Sequence, residues 1–173
     1  LTVEAGGVED PQYTYYWATG APRLADLDGD GLLEIITRGG TYGGSPNGLS
    51  VMRNTSTESQ LSFDYEFEEY YQYETNNAPL LINLADLDGD GRPDIVTSDW
   101  RGGLSIWINA SSPGTIALQE QMQIGVGDFP NPFVMCDLNQ DATPEIIVGH
   151  FDPIDGMRIV HNFIPVADCQ HDG

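Results

Sequence analysis

Three short stretches of the chain place oxygen-bearing side chains at alternate positions. They read DLDGDGLLE from Asp26, DLDGDGRPD from Asp86 and DLNQDATPE from Asp137. Positions one, three, five and nine of each stretch are acids, except that Asn139 stands at position three of the last. Carboxylates about 5 Å apart repel each other by about 3 kcal/mol per pair at an effective dielectric constant near 20. A divalent cation offsets that repulsion, so the spacing predicts a metal site in each loop.

The donor set favours calcium, because calcium takes many hard oxygen ligands whereas magnesium demands a smaller, stricter octahedron. Glycines at positions four and six of the first two loops permit the left-handed backbone that tight coiling requires. The predicted ligands are the side chains at positions one, three, five and nine and the backbone carbonyl of position seven. They are Asp26, Asp28, Asp30, Leu32 and Glu34; Asp86, Asp88, Asp90, Arg92 and Asp94; and Asp137, Asn139, Asp141, Thr143 and Glu145.

The third loop is predicted to bind its ion more weakly. Gln140 and Ala142 replace both glycines there, and a left-handed residue other than glycine costs on the order of 1 kcal/mol. Glutamate at position nine, as in Glu34 and Glu145, is one methylene longer than aspartate, which favours a shifted or water-mediated contact. We therefore expect two or three calcium ions per chain.

Two other readings of the loops are less consistent with the sequence. A polar hairpin turn needs only two residues, whereas the acids recur across nine. A helical calcium loop of the EF-hand type requires glutamate at position twelve. That position is occupied by Thr37, Thr97 and Val148.

The segments around the loops are predicted to be strands. A short apolar segment precedes each loop, and a β-branched run follows it, as in EIITR from Glu34. A glycine-rich turn then leads to a third strand that ends at Asn54, Asn109 or Asn162. A fourth, more polar strand is expected in two units, FDYEFE from Phe63 and TIALQEQMQI from Thr115. Since no segment has a helical period, the predicted fold is all-β, with four-stranded antiparallel sheets.

The length of 173 residues favours one domain, because a chain of this size buries one sizeable core. Within that domain, spanning residues 1–173, the repeats divide the chain into four parts. These are an N-terminal strand segment at 1–20, then repeats at 21–77, 78–128 and 129–173.

The charge is strongly negative, with 27 acidic and 6 basic residues, a net charge of -21 and no lysine. Such a field repels nucleic acid and anionic membranes. The lack of lysine excludes Schiff-base chemistry and a phosphate-binding P-loop. No apolar run is long enough to cross a bilayer, so membrane insertion is not expected.

Several features suggest an extracellular origin. The sequons NTS at Asn54 and NAS at Asn109 follow the first two acidic loops at similar places, so both asparagines are candidate N-glycosylation sites. Leu1 is not a methionine, which suggests a processed or excised chain. Cys136 and Cys169 either form a disulfide or remain two buried thiols.

The stretches ADLDGDGLLEIITRG, ADLDGDGRPDIVTSD and CDLNQDATPEIIVGH resemble the FG-GAP or VCBS repeats of integrin α-subunit heads, fungal lectins and many secreted bacterial and algal proteins. The resemblance implies that each unit is a β-propeller blade, with the calcium loop joining its first two strands. About three blades are present, whereas propellers close with four to eight. An incomplete ring exposes strand edges and apolar faces, so other chains or further copies of this one are the expected partners.

The function expected from these features is a non-catalytic, calcium-stabilised extracellular module for adhesion or structural assembly. The alternative is a lectin-like module that binds glycans through the aromatic residues Trp17, Tyr70, Tyr71 and Trp100. A calcium-dependent polysaccharide-degrading enzyme is less favoured, because the histidines His150, His161 and His171 stand in no catalytic signature.

Overall fold

The computed structural model of the chain is built from β-strands, and its described part contains no helix. The structure describes residues 21–39, 48–64, 71–74, 79–99, 102–127, 130–150, 156–162 and 164. These residues form three antiparallel sheets, one for each predicted repeat. The sheets do not close into a ring. The all-β fold class is therefore confirmed, as are its separate antiparallel sheets.

The strands follow one another in space in the order in which they occur along the chain. The first sheet contains β1 Arg23–Ala25, β2 Glu34–Gly39, β3 Gly48–Met52 and β4 Tyr71–Glu74. The second sheet contains β5 Pro79–Ala85, β6 Asp94–Asp99, β7 Gly103–Asn109 and β8 Leu118–Gly125. The third sheet contains β9 Pro130–Cys136, β10 Glu145–His150 and β11 Met157–Val160.

The fourth strands differ from the predicted ones. In the first unit the strand is β4, which begins at Tyr71 rather than Phe63. Phe63 instead forms an isolated bridge with Asn54 at the base of a small hairpin. In the second unit β8 begins at Leu118, because Thr115 closes a tight turn by bridging Ser112. The predicted N-terminal strand segment, residues 1–20, lies outside the described residues.

The core lies between neighbouring sheets. Residues i and i+1 of a strand face opposite sides of a sheet, so a central strand can supply two cores. In β6, Ile95 joins the cluster shared with the first sheet, and Val96 joins the cluster shared with the third. All six residues of β6 are buried, because the second sheet is covered on both faces.

Asparagine side chains also connect neighbouring units. Asn109 lies at the end of β7, and its Nδ2 atom donates to the carbonyl oxygen of Leu27 in the first unit, at 2.9 Å. Asn162 follows β11 and donates in the same way to the carbonyl oxygen of Leu87 in the second unit, at 2.6 Å. Each bond places the third strand of one unit against the acidic loop of the preceding unit.

Candidate metal centre

The first acidic loop joins β1 to β2 and is held by hydrogen bonds to its own acids. The two carboxylate oxygens of Asp26 accept the N–H groups of Gly29 and Gly31, at 2.8 and 3.0 Å. Those glycines have φ values of 77° and 90°, in the left-handed region that glycine adopts without steric cost. Asp28 accepts the N–H of Asp30, at 3.1 Å. The loop therefore coils around its acids, as the spacing predicts.

The second loop, between β5 and β6, repeats this geometry. Asp86 accepts the N–H groups of Gly89 and Gly91, at 2.7 and 2.8 Å. Asp90 accepts the N–H of Arg92, at 2.8 Å. The corresponding bond in the first loop joins the N–H of Leu32 to Asp30, also at 2.8 Å. Position seven thus donates its N–H to position five, and the metal contacts of its carbonyl stay a prediction.

Two groups of carboxylates are close enough to share one ion. Oxygen atoms of Asp26, Asp28 and Glu34 lie within 4.8 Å of one another, and so do oxygen atoms of Asp86, Asp88 and Asp90. Calcium–oxygen distances are about 2.3–2.6 Å, so two ligands of one ion lie at most about 5 Å apart. The residues present therefore fit a calcium ion in both loops.

The acids at position nine are buried beneath the loops. Glu34 accepts the N–H of Leu27 at 2.7 Å, and Asp94 accepts the N–H of Leu87 at the same distance. The other oxygen of Asp94 accepts the N–H of Asn109 at 2.8 Å. Although glutamate is one methylene longer, Glu34 makes the equivalent pair of hydrogen bonds, because its other oxygen accepts the N–H of Asn54 at 3.3 Å. These acids connect the loop backbone to the third strand of their unit.

Burial changes the protonation of these acids. Desolvation, aided by the charges of Asp88 and Asp90, raises the pKa of Asp94 to about 6, although two backbone hydrogen bonds act in the opposite direction. Desolvation also raises the pKa of Glu34 and of Asp88. A cation in the loop would favour the ionised form of all three, because opposite charge lowers the pKa of a carboxyl group.

The third loop, between β9 and β10, adopts the same backbone path without glycine. Gln140 and Ala142 have φ values of 65° and 72°. Asp137 accepts their N–H groups at 2.6 and 3.0 Å. The predicted strain at these two positions is therefore present, and the first acid still organises the turn.

The side chain of Asn139 changes the interior of this loop. Its Nδ2 atom donates to Asp141 at 2.9 Å and to Glu145 at 3.2 Å. At position three, the third loop thus places an amide N–H group between two acids, whereas the first two loops have a carboxylate there. Among the described residues, the third loop contributes no group of three acids within ligand distance. Hydrogen bonds from Thr143 also lower the pKa of Asp141.

Two arginines contact the loops, although neither stands in a sequence pattern that predicts this role. Arg53 follows β3, and its Nε atom lies 3.4 Å from Oδ2 of Asp28. The same oxygen accepts the N–H of Gly114 from the second unit, at 2.9 Å. Arg92 pairs with Asp90 in its own loop. Asp28 is therefore both a candidate ligand and a link between two units, which spacing within one loop does not reveal.

The two sequon asparagines differ in their surroundings. Asn109 is fully buried, and its Nδ2 atom donates to Leu27 and Pro93. A glycan attached to that atom is incompatible with this packing, so the fold contradicts the candidate site at Asn109. Asn54 is half-buried, and its Nδ2 atom donates to Leu33 at 3.0 Å. Its glycosylation stays a prediction.

A structural reason for the sequon pattern is visible at both places. Oδ1 of Asn54 accepts the N–H of Ser56, and Oδ1 of Asn109 accepts the N–H of Ser111, both at 3.0 Å. Asparagine favours this turn because its side chain can bond the backbone two residues on. The serine hydroxyls then join the hairpin that follows, since Ser111 accepts the N–H of Ala117 at 3.0 Å.

Other predicted residues are less informative. Trp17, Tyr70, Trp100, His171 and Cys169 lie outside the described residues. Tyr71 begins β4, and His150 ends β10. Cys136 is an exposed free thiol, which overturns the alternative of a buried thiol at this position. His161 is exposed and lies 3.8 Å from Glu145.

The fold and the loops define a class of repeat protein in which propeller-type blades carry acidic loops between their first two strands. Comparison with known families agrees: the model of the FG-GAP-like repeat matches residues 26–97 and 86–148. The chain therefore belongs to the FG-GAP-like repeat family, as the quoted motifs indicated. No curated protein matched the sequence significantly. The described part of the chain contains no helix with the length and apolarity to span a bilayer.

Proposed function

We propose that this chain is a non-catalytic extracellular module that binds calcium in its acidic loops and serves adhesion or structural assembly. The observation that carries the proposal is the pair of carboxylate groups, Asp26 with Asp28 and Glu34, and Asp86 with Asp88 and Asp90, each within 4.8 Å. Three acids at that separation repel one another strongly unless a cation lies between them.

Calcium in these loops would stiffen the junctions between units. The first loop bonds the second unit twice: Asp28 accepts the N–H of Gly114, and the carbonyl of Leu27 accepts Nδ2 of Asn109. An ion that holds Asp28 in place therefore also holds this interface. The loop acids would thus hold the ion, and the ion would neutralise their charge rather than act as a reactive group.

The hydrogen bonding of the loop acids supports a non-catalytic role. Position-one and position-nine acids in the first two loops accept backbone N–H groups with both oxygens. A general acid or base needs an oxygen that can reach a substrate proton. His161, which is exposed, has Glu145 as its acidic neighbour at 3.8 Å, longer than a hydrogen bond.

The extracellular location rests on the family and on calcium chemistry. Repeats of this family are typical of extracellular proteins. Extracellular modules bind calcium with dissociation constants of about 10⁻⁴–10⁻³ M, which suits the concentration outside cells. Loops whose acids are also bonded to backbone and arginine fit this weak range better than a high-affinity buffer.

Native mass spectrometry and calorimetry with calcium and magnesium test the proposal. We expect calcium to bind to the first two loops and Asp88→Ala to remove one ion. Glu58→Ala is the matched control, because Glu58 is an exposed acid in a hairpin turn away from the loops, and it should leave the ion count unchanged. A chain that binds no calcium at millimolar concentration contradicts the metal site. Turnover of polyuronides in calcium would contradict the non-catalytic assignment.

A further inference from the structure

The interface between the first and second sheets joins two rows of apolar side chains. In the second sheet, Leu84, Ile95 and Trp107 lie side by side across β5, β6 and β7. They pack against Ile36 and Val51, which are neighbours across β2 and β3 of the first sheet. We call the row that faces the preceding unit the leading row and the row that faces the following unit the trailing row.

The interface between the second and third sheets repeats this arrangement. The trailing row of the second sheet contains Val96 and Ile106, which are neighbours across β6 and β7. It packs against the leading row of the third sheet, which consists of Met135, Ile146 and Val160. The chain thus makes the same trailing-to-leading contact twice.

Each outer sheet carries one further row that the internal interfaces do not use. The trailing row of the third sheet is Val134, Ile147 and Ile159, of which Val134 is 54% and Ile159 47% exposed. The leading row of the first sheet is Leu24, Ile35 and Met52, of which Leu24 is 58% exposed. Ile35, Met52 and Ile147 are half-buried, so each outer row is partly exposed. Exposed apolar patches mark interaction surfaces.

The leucine at position two of each acidic loop gives a second, independent observation. Leu27 and Leu87 are 0% and 1% exposed, because each lies in the core between its own unit and the following one. Leu138 occupies the same position in the third loop and is 50% exposed. The third unit is therefore prepared for a following unit in the same way as the first two.

The asparagine hydrogen bonds between units give a third observation that supports a following unit. Nδ2 of Asn109 uses its two hydrogens for Pro93 of its own loop and Leu27 of the preceding one. Nδ2 of Asn54 makes the first of these bonds, to Leu33. The described residues offer its second hydrogen no acceptor, although a primary amide has two to donate. Asn109 and Asn162 donate this second hydrogen to the backbone carbonyl at position two of the preceding unit's loop. The equivalent carbonyl in the third loop is that of Leu138.

We infer that the trailing face of the third sheet binds the leading face of the first sheet in a second copy of this chain, head to tail. The occupant is a second copy because the complementary row and the incompletely bonded Asn54 are both on this chain, on the sheet at the opposite side. Such a heterologous contact gives a closed ring where the rotation closes and a linear array where it does not. The inference rests on the assembly part of the proposed function and not on calcium binding.

Two single substitutions, one on each face, test the direction of the contact. Ile159→Glu places a charge in the trailing row, and Leu24→Glu places one in the leading row. Gln119→Glu is the control, because it adds the same negative charge at an exposed position of β8 in the second sheet, which contributes to neither outer face. Circular dichroism and thermal melting establish that the variants are folded. Masses are measured by light scattering and sedimentation over a concentration series in calcium.

We expect the unmodified chain and Gln119→Glu to associate, and each row variant alone to be monomeric. An equimolar mixture of the two row variants should form a one-to-one dimer, because it retains one intact trailing face and one intact leading face. If a glutamate variant does not fold, Ile159→Thr and Leu24→Thr replace the pair, with an expected increase in dissociation constant of about tenfold.

Three results would overturn the inference: an unmodified chain that stays monomeric at all concentrations, a mixture that stays monomeric, or association of Leu24→Glu with itself, which would mean that like faces meet. Counting ions on the same samples separates this failure from that of the proposed function. A monomer that binds two ions overturns the head-to-tail contact alone, whereas an assembly that binds none contradicts the metal site alone.

Discussion

The second and third acidic loops follow the same backbone path with different sequences. They differ at five of nine positions, including both glycines. Nevertheless, the residues at positions four and six are left-handed in both loops, with φ values of 78° and 87° at Gly89 and Gly91 and 65° and 72° at Gln140 and Ala142. The loop shape therefore does not depend on glycine.

The shared acids explain why the path is maintained. In both loops the position-one carboxylate accepts the N–H groups of positions four and six, and the position-nine carboxylate accepts the N–H of position two. Hydrogen bonds to a charged acceptor contribute about 1.5–3 kcal/mol each, more than the roughly 1 kcal/mol cost of a left-handed residue. Positions three and five also accept backbone N–H groups in both loops, so the shared bonds come from all four side-chain positions. Position three separates the loops chemically, because Asp88 offers a carboxylate and Asn139 an amide.

Removal of calcium should have the largest effect on stability. Saturation of one site at 100 times its dissociation constant adds about 2.7 kcal/mol. For a chain of this size, 1 kcal/mol corresponds to about 2–4 °C in Tm. Excess chelator should therefore lower Tm by about 5–10 °C per occupied loop, as measured by scanning calorimetry. An unchanged Tm would contradict calcium binding in the loops and would mean that hydrogen bonds alone maintain their shape.

Exchange of the position-three residues should come next. Asp88→Asn gives the second loop the amide of the third and should weaken its calcium affinity at least about tenfold, because affinity follows the number of charged ligands. Asn139→Asp should strengthen binding in the third loop by a similar factor. Calorimetric titration of both variants checks this, with Glu58→Gln as the control. Equal affinities before and after both exchanges would show that position three does not distinguish the loops.

The pH dependence should differ with and without calcium. The folded-state pKa of Asp94 is raised to about 6 from 3.8. Protonated Asp94 therefore stabilises the calcium-free fold fully below pH 3.8, and that contribution is lost as the pH rises through about 6. Calcium favours the ionised acid, so the gain in Tm on adding calcium should grow between pH 5 and 7. Thermal melts in buffered calcium and in chelator measure this gain in Tm. A gain that falls between pH 5 and 7 would contradict the coupling of calcium binding to ionisation of Asp94.

Glycine substitution should have the smallest effect. Gln140→Gly and Ala142→Gly should each raise the free energy of unfolding by about 1 kcal/mol, because they relieve a left-handed side chain. The reverse change, Gly91→Ala, should lower it by a similar amount, since an added Cβ meets no atom within 4 Å and only φ matters. Gly125→Ala is the control, because that glycine has equal space and is not left-handed. Chemical denaturation resolves changes of this size.

Local sequence was sufficient to predict the repeating elements. The β-branched run after the first loop became β2, which begins at the predicted residue Glu34, and the runs after the other two loops became β6 and β10. The left-handed positions four and six were also correct in all three loops. These features arise within about nine residues, where spacing and backbone geometry are directly linked. Fourth strands were placed too early, because the turns that precede them are closed by hydrogen bonds that composition does not indicate.

Features that depend on contact between units were not predictable from spacing. NAS at Asn109 is a valid sequon, yet the Asn109 side chain is buried against the preceding unit. Its Nδ2 atom donates to the carbonyl oxygen of Leu27, which lies 82 residues earlier in the chain. Leu27, Leu87 and Leu138 occupy equivalent positions in the sequence, and they differ in exposure because the first two have a following unit packed over them. The amino-acid order thus accounts for the loops and strands, whose geometry is local. Packing of one sheet on the next accounts for the buried amides and the exposed outer rows, because burial depends on residues far apart in the chain.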